Sequence, residues 1–280
     1  MTVAVTYAGE PGAFAEDAVI AAFGDVERNA VGSFRQVFEA VANGATAGAG
    51  VIPIENVVNG TVRENYDLLL EHDLEIVGEV VVPVRLCLAA LPGQSPDDIE
   101  RVYSHIQALG QAEVFLRTRP WQLLTTYNTA GAGKSIVERE ERGAAAVLSP
   151  RAAALFGLEV LADGIQDVAD NRTRFLVLAR NGAAAQPRLA AGGAPRTTLA
   201  LAVRNEPGTL LAVLEVFARH NLNMSKLESR PSRERAWEYV FWVDLDADAN
   251  AAETRTALAE LGGVTTMLRV LGSYPRGEGG

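Results

Sequence analysis

The sequence is poor in the residues on which most metal, redox and nucleophilic sites depend. Its 280 residues include one cysteine, Cys87, and three histidines, His72, His105 and His220. A single cysteine excludes an intramolecular disulfide, and its apolar neighbours favour a buried thiol over a nucleophile. The histidines are scattered and show no metal-ligand spacing, so we expect no metal site.

Positive charge and long apolar runs are also scarce. Lys and Arg total 25 against 35 Asp and Glu, and the resulting net charge of −10 repels nucleic-acid phosphates and anionic lipids. No apolar run reaches transmembrane length, and residues 1–7 lack the charged flank of a signal peptide. No glycine motif that would cradle a phosphate is present. We therefore expect a cytoplasmic protein that binds neither nucleic acid nor membrane.

The pattern of strands and helices predicts a bilobed α/β domain over residues 1–180. A hydrophobic content of 48% in 280 residues can form more than one core. Strand and helix signals alternate in two halves, and the long extended segment 75–90 is interpreted as two strands that cross between the halves. We predict a second lobe at roughly residues 80–175, closed by the segment around Thr173, and a ligand cleft between the lobes.

A second, smaller domain is predicted at residues 197–275. The segment 181–196 is rich in Ala, Gly and Pro and has no periodicity, which is typical of a linker. The pattern after it is strand, helix, strand, strand, helix, strand. That order predicts a ferredoxin-like βαββαβ sandwich.

The stretch from Asp170 to Phe175 has the chemistry of a site for a small organic anion. The hydroxyl of Thr173 can donate a hydrogen bond, Arg172 or Arg174 can bind a carboxylate through two N–H groups, and Phe175 can form an apolar wall. The same residues would also suit an edge strand with solvated arginines. The segment alone does not decide between the two interpretations.

Two further polar pairs follow predicted buried strands. Glu55 and Asn56 end the strand that begins at Gly48, and Ser104 and His105 end the strand that begins at Ile99. Ligands of open α/β sheets bind at the carboxyl ends of strands, so both pairs are candidate site residues.

The order of short motifs along the whole chain resembles bacterial prephenate dehydratase with a C-terminal ACT regulatory domain. The resemblance implies a bilobed catalytic domain like that of periplasmic binding proteins, followed by a ferredoxin-like ACT domain. The motifs that carry it are Tyr7-Ala8-Gly9-Glu10-Pro11-Gly12-Ala13-Phe14, Pro53-Ile54-Glu55-Asn56, Tyr103-Ser104-His105 with Gln107 and Gln111, Ile165-Gln166-Asp167 with Asn171, Thr173-Arg174-Phe175, Pro207-Gly208-Thr209-Leu210 and Glu228-Ser229-Arg230-Pro231.

The family's reaction is the decarboxylating dehydration of prephenate to phenylpyruvate in L-phenylalanine biosynthesis, and it uses no cofactor. The resemblance implies that Thr173 is the catalytic threonine. We expect Arg174 to bind the carboxylate that is retained, Phe14 or Phe175 to face the carboxylate that is lost, and Glu55 or His105 to supply a proton. The remaining polar lining is expected to include Asn56, Ser104, Gln107, Gln111 and Asn171.

The resemblance also implies feedback control by L-phenylalanine and a homodimer or homotetramer, because the family's effector sits between two ACT domains. The family's two effector motifs correspond to Gly208, Thr209 and Leu210, and to Glu228 and Ser229 with the two residues that follow. A helix start after Gly208 suits an amino-acid carboxylate. Asn223 and Met224 are predicted to line the pocket for the effector's side chain.

Two alternatives remain from the sequence. One is arogenate dehydratase, in which Glu55 would bind the substrate ammonium, and the other is a non-catalytic amino-acid sensor. The chain departs from the family pattern at Val57, Asn65, Ile106 and Asn128, where serine, threonine, proline and serine are usual. Thr173 is unaffected by these departures.

Overall fold

The computed structural model describes residues 4–44, 47–183, 187, 193–232 and 239–277. These residues form three β-sheets covered by helices. In the described part of the chain, no helix has the length and apolarity needed to span a membrane. Half of the predicted linker, 184–186 and 188–192, lies outside the described residues.

The first lobe is a mixed sheet with helices on both faces. Its strand order is β2-β1-β3-β11-β5, with the short β4 paired to β3. The lobe consists of β1 (Val5–Ala8), α1 (Phe14–Phe23), β2 (Arg28–Val31), α2 (Phe34–Asn43), β3 (Ala49–Asn56), β4 (Gly60–Thr61), α3 (Arg63–Glu71), β5 (Leu74–Pro83) and β11 (Arg172–Arg180).

The second lobe is a smaller mixed sheet of strand order β10-β6-β9-β7-β8. The segment between β5 and β6 carries the chain into it, as the sequence predicted for residues 75–90. The lobe consists of β6 (Cys87–Ala90), a 3₁₀ turn (Pro96–Asp98), β7 (Arg101–Ser104), α4 (Ile106–Gln111), α5 (Glu113–Leu116), β8 (Gln122–Thr125), α6 (Thr129–Glu138), β9 (Ala144–Leu148), α7 (Pro150–Leu155) and β10 (Glu159–Asp163).

Strand β11, which carries Thr173, belongs to the first lobe and not to the second. It lies between β3 and β5 and runs antiparallel to both. The prediction that this segment closes the second lobe is therefore wrong. Sequence periodicity identifies a strand but does not say which sheet it joins, and β11 returns to the first sheet more than a hundred residues after β3.

Side-chain caps fix the starts of two helices, α2 and α6. The hydroxyl of Ser33 accepts a hydrogen bond from the amide of Gln36 and begins α2, whose residues Val37, Phe38 and Val41 are buried. The side-chain oxygen of Asn128 accepts from the amide of Gly131 at the start of α6.

The two lobes touch closely at the loop before α1. The hydroxyl of Ser149 donates to the carbonyl of Gly12 across the cleft, at 2.9 Å. Gly12 has φ of 87°, and a Cβ there would lie 2.8 Å from the Ala152 backbone. Only glycine permits both this conformation and this approach, so Gly12 sets the closeness of the lobes.

The third unit has the predicted βαββαβ order and packs its sheet, β13-β14-β12-β15, against the first lobe. Its helices cover the other face. It consists of β12 (Pro195–Ala202), α8 (Thr209–Arg219), β13 (Met224–Pro231), β14 (Tyr239–Leu245), α9 (Ala252–Val264) and β15 (Met267–Pro275).

A buried ionic cluster joins the third unit to the first lobe. Arg196 donates to both oxygens of Glu79 at 2.8 and 2.7 Å, and Arg174 pairs with Asp244 at 2.7 Å. Thr198 donates to the second oxygen of Asp244. Glu79 and Asp244 are each 1% exposed, so removal of one charge would leave its partner buried without compensation.

We expect Glu79→Gln to lower the free energy of unfolding by about 3 kcal/mol, because the Arg196 guanidinium loses its counter-charge inside the protein. Chemical denaturation followed by circular dichroism would measure the change. The matched control is Asp163→Asn, which breaks the exposed Arg85–Asp163 pair and should cost less than about 1 kcal/mol. Equal losses in the two variants would contradict this role of the buried cluster.

Candidate active site

A cavity of about 450 Å³ lies between the two lobes, at the carboxyl ends of β3 and β7. Its lining combines apolar residues with twelve residues that have polar or charged side chains. The lining consists of Ala8, Gly12, Ala13, Phe14, Ala15, Phe34, Pro53, Asn56, Asn59, Gly60, Thr61, Val62, Arg63, Glu64, Val84, Leu86, His105, Gln107, Ala108, Gln111, Asn128, Thr129, Ala130, Ser149, Thr173 and Phe175.

The orientation of the Asn56 side chain is set by two backbone amides. Its Oδ1 accepts hydrogen bonds from the amides of Val58, at 3.0 Å, and Asn59, at 2.8 Å. In an amide side chain only the oxygen accepts a hydrogen bond from an N–H group, so the Nδ2 of Asn56 must point the other way. There it lies 3.0 Å from the hydroxyl of Thr173 and 2.9 Å from the side-chain oxygen of Asn171.

Thr173 is thereby placed with its hydroxyl proton available to the cavity. Its Oγ1 accepts from Asn56, and no described residue accepts its proton. The residue is 9% exposed and lines the cavity. Gln111, which is 8% exposed, donates to the Oδ1 of Asn56 at 3.3 Å and supports the same arrangement from the second lobe. The geometry provides a hydrogen-bond donor for an oxygen of a bound ligand.

Four helices of nine or more residues begin at the cavity wall. They are α1, α2, α3 and α6, whose first residues Phe14, Phe34, Arg63 and Thr129 all line the cavity. The starts of α1 and α3 have no side-chain cap. Helix N-termini carry partial positive charge and free amides, so their convergence favours a negatively charged ligand. This local field offsets the overall charge of −10.

His105 is a neutral imidazole at the cavity wall. Burial lowers the pKa of His105, because it disfavours the charged form. Its Nδ1 accepts from the amide of Gln107 at 3.4 Å, which also requires an unprotonated Nδ1. His105 is therefore suited to donate a hydrogen bond through Nε2 and poorly suited to supply a proton as imidazolium.

The structure brings seven of the sequence-predicted residues to this cavity and leaves two others beside it. Ser104 is fully buried and donates to the carbonyl of Val147 at 2.6 Å, which makes it part of the second-lobe core. Asn171 lies behind Asn56, as described above, with 1% exposure. The seven at the cavity are Phe14, Asn56, His105, Gln107, Gln111, Thr173 and Phe175.

Arg174 does not face the cavity, and its predicted role as the substrate's carboxylate anchor is corrected here. Neighbouring residues of a strand point to opposite faces, so Thr173 and Arg174 cannot both reach the cleft. Burial works against the charge of Arg174, but Asp244 and, more weakly, Tyr274 and Glu79 raise its pKa above the ordinary value. Its guanidinium is an interdomain ion pair. Arg172, the other predicted arginine, is paired with Asp170 and does not line the cavity either.

Glu55 is corrected for the same reason. It pairs with Arg174 in the β3–β11 register, one position from the Asn56–Thr173 pair, and so shares the opposite face of the sheet. Its carboxylate lies 2.9 Å from the Lys226 ammonium and is 40% exposed. It does not line the cavity, so it cannot supply the proton or bind a substrate ammonium there.

A second, smaller cavity of about 210 Å³ lies at the start of α8. Gly208, Thr209 and Leu210 line it, together with Tyr239 and Phe241. Gly208 has φ of 88° and precedes the first residue of the helix. The hydroxyl of Thr209 donates to the carbonyls of Arg204 and Glu206 and holds the turn.

The other predicted effector residues do not line this second cavity. Asn223 is exposed and donates to Asp246, and Met224 packs against the helix-side core. Ser229 is exposed on β13. Glu228 faces the first lobe and accepts a hydrogen bond from Thr61. Within one subunit, therefore, the predicted effector residues lie in two places. One group is at the turn before α8, and the other is on or next to strand β13, which contacts the first lobe.

Several polar residues of the cavity were not assigned a direct role from the sequence, among them Arg63 and Asn128. Asn128 was considered as a departure from the family pattern, and the structure shows that it caps α6 and forms part of the lining. Arg63 gave no signal because it follows a turn and starts an ordinary amphipathic helix. Its place at the cavity depends on how α3 packs between β3 and the third unit.

The fold and the cavity define a class: a two-lobed α/β protein that binds a small anion in its cleft and carries a ferredoxin-like module. Comparison with known proteins makes this more specific. The prephenate dehydratase family profile matches residues 5–183, and the ACT domain profile matches residues 197–263. The chain belongs to the prephenate dehydratase family.

Individual relatives align over nearly the whole chain. Arogenate dehydratase 5 of Arabidopsis thaliana is 42% identical over 98% of this chain and 68% of its own length. The structure of prephenate dehydratase from Arthrobacter aurescens in complex with L-Phe has a TM-score of 0.87 and 32% identity, and covers 98% of this chain and 90% of its own. A structure described as a novel type of quorum-quenching acylase, GqqA, also has a TM-score of 0.87, with 31% identity and 98% coverage of both chains.

The lowered pKa of His105 predicts acid sensitivity. The unfolded state takes up a proton on this side chain near the ordinary histidine pKa of about 6.5, whereas the folded state takes it up only at lower pH. Protonation therefore favours the unfolded state, and the free energy of unfolding decreases as the pH falls. Between about pH 7.5 and about pH 5.5, the melting temperature of His105→Gln should fall less than that of the wild type. Thermal denaturation at both pH values tests this, and an equal fall would contradict it.

Proposed function

We infer that this chain catalyses the decarboxylating dehydration of prephenate to phenylpyruvate in L-phenylalanine biosynthesis, as a carbon–oxygen lyase. The observation that carries this inference is the hydroxyl of Thr173, which accepts a hydrogen bond from Asn56 and so keeps its proton for a ligand in the cavity. Family membership supplies the reaction class. The cleft supplies a place in which a small dianion fits.

The reaction requires the protein mainly to hold the substrate and to stabilise the departing oxygen. As the carboxylate leaves as CO2, its bonding electrons enter the ring and the ring hydroxyl departs as hydroxide. One proton then converts hydroxide to water. Because aromatisation drives the reaction, orientation and a hydrogen bond to the departing oxygen are the main catalytic requirements.

Thr173 provides the hydrogen bond to the departing oxygen, and it does so as a donor that keeps its proton. A threonine hydroxyl is far too weakly acidic to give up its proton near neutral pH. A positioned donor to an oxygen that gains charge in the transition state contributes about 3 kcal/mol. His105, as a neutral imidazole, can add a second hydrogen bond through Nε2, while solvent supplies the proton that completes water.

The apolar part of the cavity suits the carboxylate that is lost. Phe14, Val84, Leu86 and Phe175 form this part of the lining, and Phe175 is 2% exposed. A carboxylate that meets apolar walls is poorly solvated, and conversion to neutral CO2 relieves that cost. Phe14 or Phe175 is the wall we propose for it.

The decisive experiment is turnover by the purified protein, followed as phenylpyruvate formation by ultraviolet absorbance. Thr173→Ala should lower kcat by about 100-fold or more, because the donor to the leaving oxygen is gone. Asn56→Asp should also lower kcat, since a carboxylate keeps the amides of Val58 and Asn59 but offers only oxygens to Thr173. Thr173→Ser keeps the donor and should retain most activity.

The control for handling and folding is Thr256→Ala, an exposed threonine on α9 that lies outside the cavity. Near-normal kcat in Thr173→Ala would remove the central role assigned to this hydroxyl. A wild-type protein that converts neither prephenate nor arogenate would contradict the proposed function as a whole and would favour the sensor alternative.

Arogenate is compatible with the same cavity, and the similarity to plant arogenate dehydratases favours a direct comparison of substrates. Arogenate carries an ammonium where prephenate carries a keto oxygen. With Glu55 on the other face of the sheet, Glu64 is the acidic residue in the described cavity lining. The ratio of kcat/KM for the two substrates, measured in the same assay, identifies the preferred one.

An acylase activity has no support in the described cavity. Ser149, the serine of the lining, donates to the carbonyl of Gly12 and is not paired with His105. Cys87 is fully buried, and burial raises the pKa of its thiol to about 12. Neither is an activated nucleophile.

We propose that L-phenylalanine inhibits the enzyme through the ACT domain, and that two ACT domains meet in a homodimer or homotetramer. The start of the eleven-residue helix α8 offers amides for the effector carboxylate beside a small cavity. Strand β13 is at the edge of its sheet, which leaves a row of backbone groups for a second copy. Feedback then requires different affinities for L-phenylalanine in the active and inactive states.

The cytoplasmic location stays a prediction.

Gly208→Ala should weaken inhibition by L-phenylalanine, because a Cβ is strained at φ of 88° and the turn at α8 would shift. The readouts are the half-inhibitory concentration of L-phenylalanine and the mass by light scattering with and without it. Gly93→Ala is the matched control, since Gly93 also has positive φ, 74°, and open space around it. Equal sensitivity in both variants, or a monomer in all conditions, would contradict this proposal.

A further inference from the structure

The correction of Arg174 leaves the substrate without an assigned cation. Within the described lining of the catalytic cavity, Arg63 is the one arginine or lysine. His105 is neutral there, for the reasons given above. A dianion in a partly desolvated cleft needs at least one full positive charge in addition to helix N-termini.

Arg63 combines a free guanidinium with a favourable helix position. It is the first residue of α3, is exposed, and has no ion pair with any described carboxylate. By contrast, Arg172 and Arg174 both form ion pairs with aspartates of this chain. An arginine without a protein partner at a cavity wall is available to a ligand carboxylate, to which it can donate two parallel hydrogen bonds.

The ACT domain holds this arginine from both sides. On the preceding side, the hydroxyl of Thr61 donates to the carboxylate of Glu228 at 2.6 Å. On the following side, Arg230 donates to the carbonyl of Arg63 itself and lies 3.1 Å from the carboxylate of Asp67. Both contacts come from β13, so a shift of this strand moves the start of α3.

We propose that Arg63 binds the pyruvyl carboxylate that is retained in the product, and that Glu228 and Arg230 of β13 position it. Arg63 contacts the substrate, whereas Glu228 and Arg230 act through it. Occupancy of the ACT domain would then change substrate affinity by moving one guanidinium. This inference rests on the proposed function and adds the substrate-binding cation and a route for regulation.

Arg63→Gln should raise KM for prephenate by about 10- to 100-fold with a smaller change in kcat, because a charge-assisted pair is lost from ground and transition states alike. Arg63→Lys should lie between it and the wild type, and guanidinium ion in the assay should partly restore Arg63→Gln. The control is Arg255→Gln on α9, outside the cavity, which should keep the wild-type KM. An unchanged KM in Arg63→Gln would overturn the proposal.

Phenylpyruvate identifies which carboxylate is bound. It carries only the retained carboxylate, so calorimetry should show its affinity reduced in Arg63→Gln by about the factor by which KM rises. If the KM for prephenate rises while phenylpyruvate binds as tightly as to the wild type, Arg63 binds the carboxylate that is lost, and the assignment to the retained one is wrong.

The positioning role is tested by a double-mutant cycle. Arg230→Gln alone should raise KM, but in the Arg63→Gln background it should add little, because the residue it positions is already absent. It should also reduce the effect of L-phenylalanine on KM. Additive effects of the two substitutions would contradict positioning and would indicate two independent roles.

These outcomes separate the inference from the function on which it rests. If the wild type converts prephenate or arogenate and Arg63→Gln has the same KM for that substrate, the inference fails and the proposed function stands. If the wild type converts neither, the proposed function fails, and the inference about its substrate fails with it.

Discussion

The side-chain amide of Asn56 is the interaction on which the site depends. Two backbone amides of the following turn fix its oxygen, and its nitrogen then holds the hydroxyl of Thr173 and the side chain of Asn171. The two strands concerned are far apart in sequence but adjacent in the sheet. One amide therefore connects a turn, two strands and the hydroxyl of Thr173, and it determines which way the threonine proton points.

Electrostatics in the cleft are arranged locally and not by the overall charge. The chain is acidic as a whole, yet four helix starts and the one arginine of the described lining face the cavity, and its histidine is kept neutral by burial. The buried ion pairs Arg174–Asp244 and Arg196–Glu79 lie elsewhere and attach the ACT domain to the first lobe. The helix starts and Arg63 thus remain available to a negatively charged ligand.

The regulatory domain is part of the catalytic domain's packing. The aromatic ring of Trp242 lies 4.6 Å from that of Tyr66, centroid to centroid, in one core shared by the two domains. Gly272 of β15 approaches β5 so closely that a Cβ would fall 2.1 Å from the carbonyl oxygen of Ile76. Strand β13 alternates, with Lys226, Glu228 and Arg230 toward the first lobe and Leu227 and Ser229 exposed. A strand with one face on the site's border and one face open is suited to transmit an effector's presence.

Much of the fold could be predicted from local patterns, because they depend on neighbouring residues. The crossing segment 75–90, the caps at Ser33 and Asn128 and the order of the ferredoxin-like domain follow from periodicity, turn chemistry and capping. Thr173, Asn56 and Gln111 could be singled out because their motifs follow one another in the same order as in the family. The sheet that receives β11 could not be predicted, since pairing depends on contacts across more than a hundred residues.

The sequence by itself determined the fold class, the family motifs and the threonine at the centre of the site. Only the tertiary structure decided which neighbours of that threonine share its environment. Glu55 and Arg174 are adjacent to Asn56 and Thr173, and strand alternation turns both away from the cleft toward Lys226 and Asp244 of a domain that comes later in the chain. Arg63 enters the cavity because α3 packs beneath that same domain. Contacts of this kind join distant segments, and no local pattern of residues contains them.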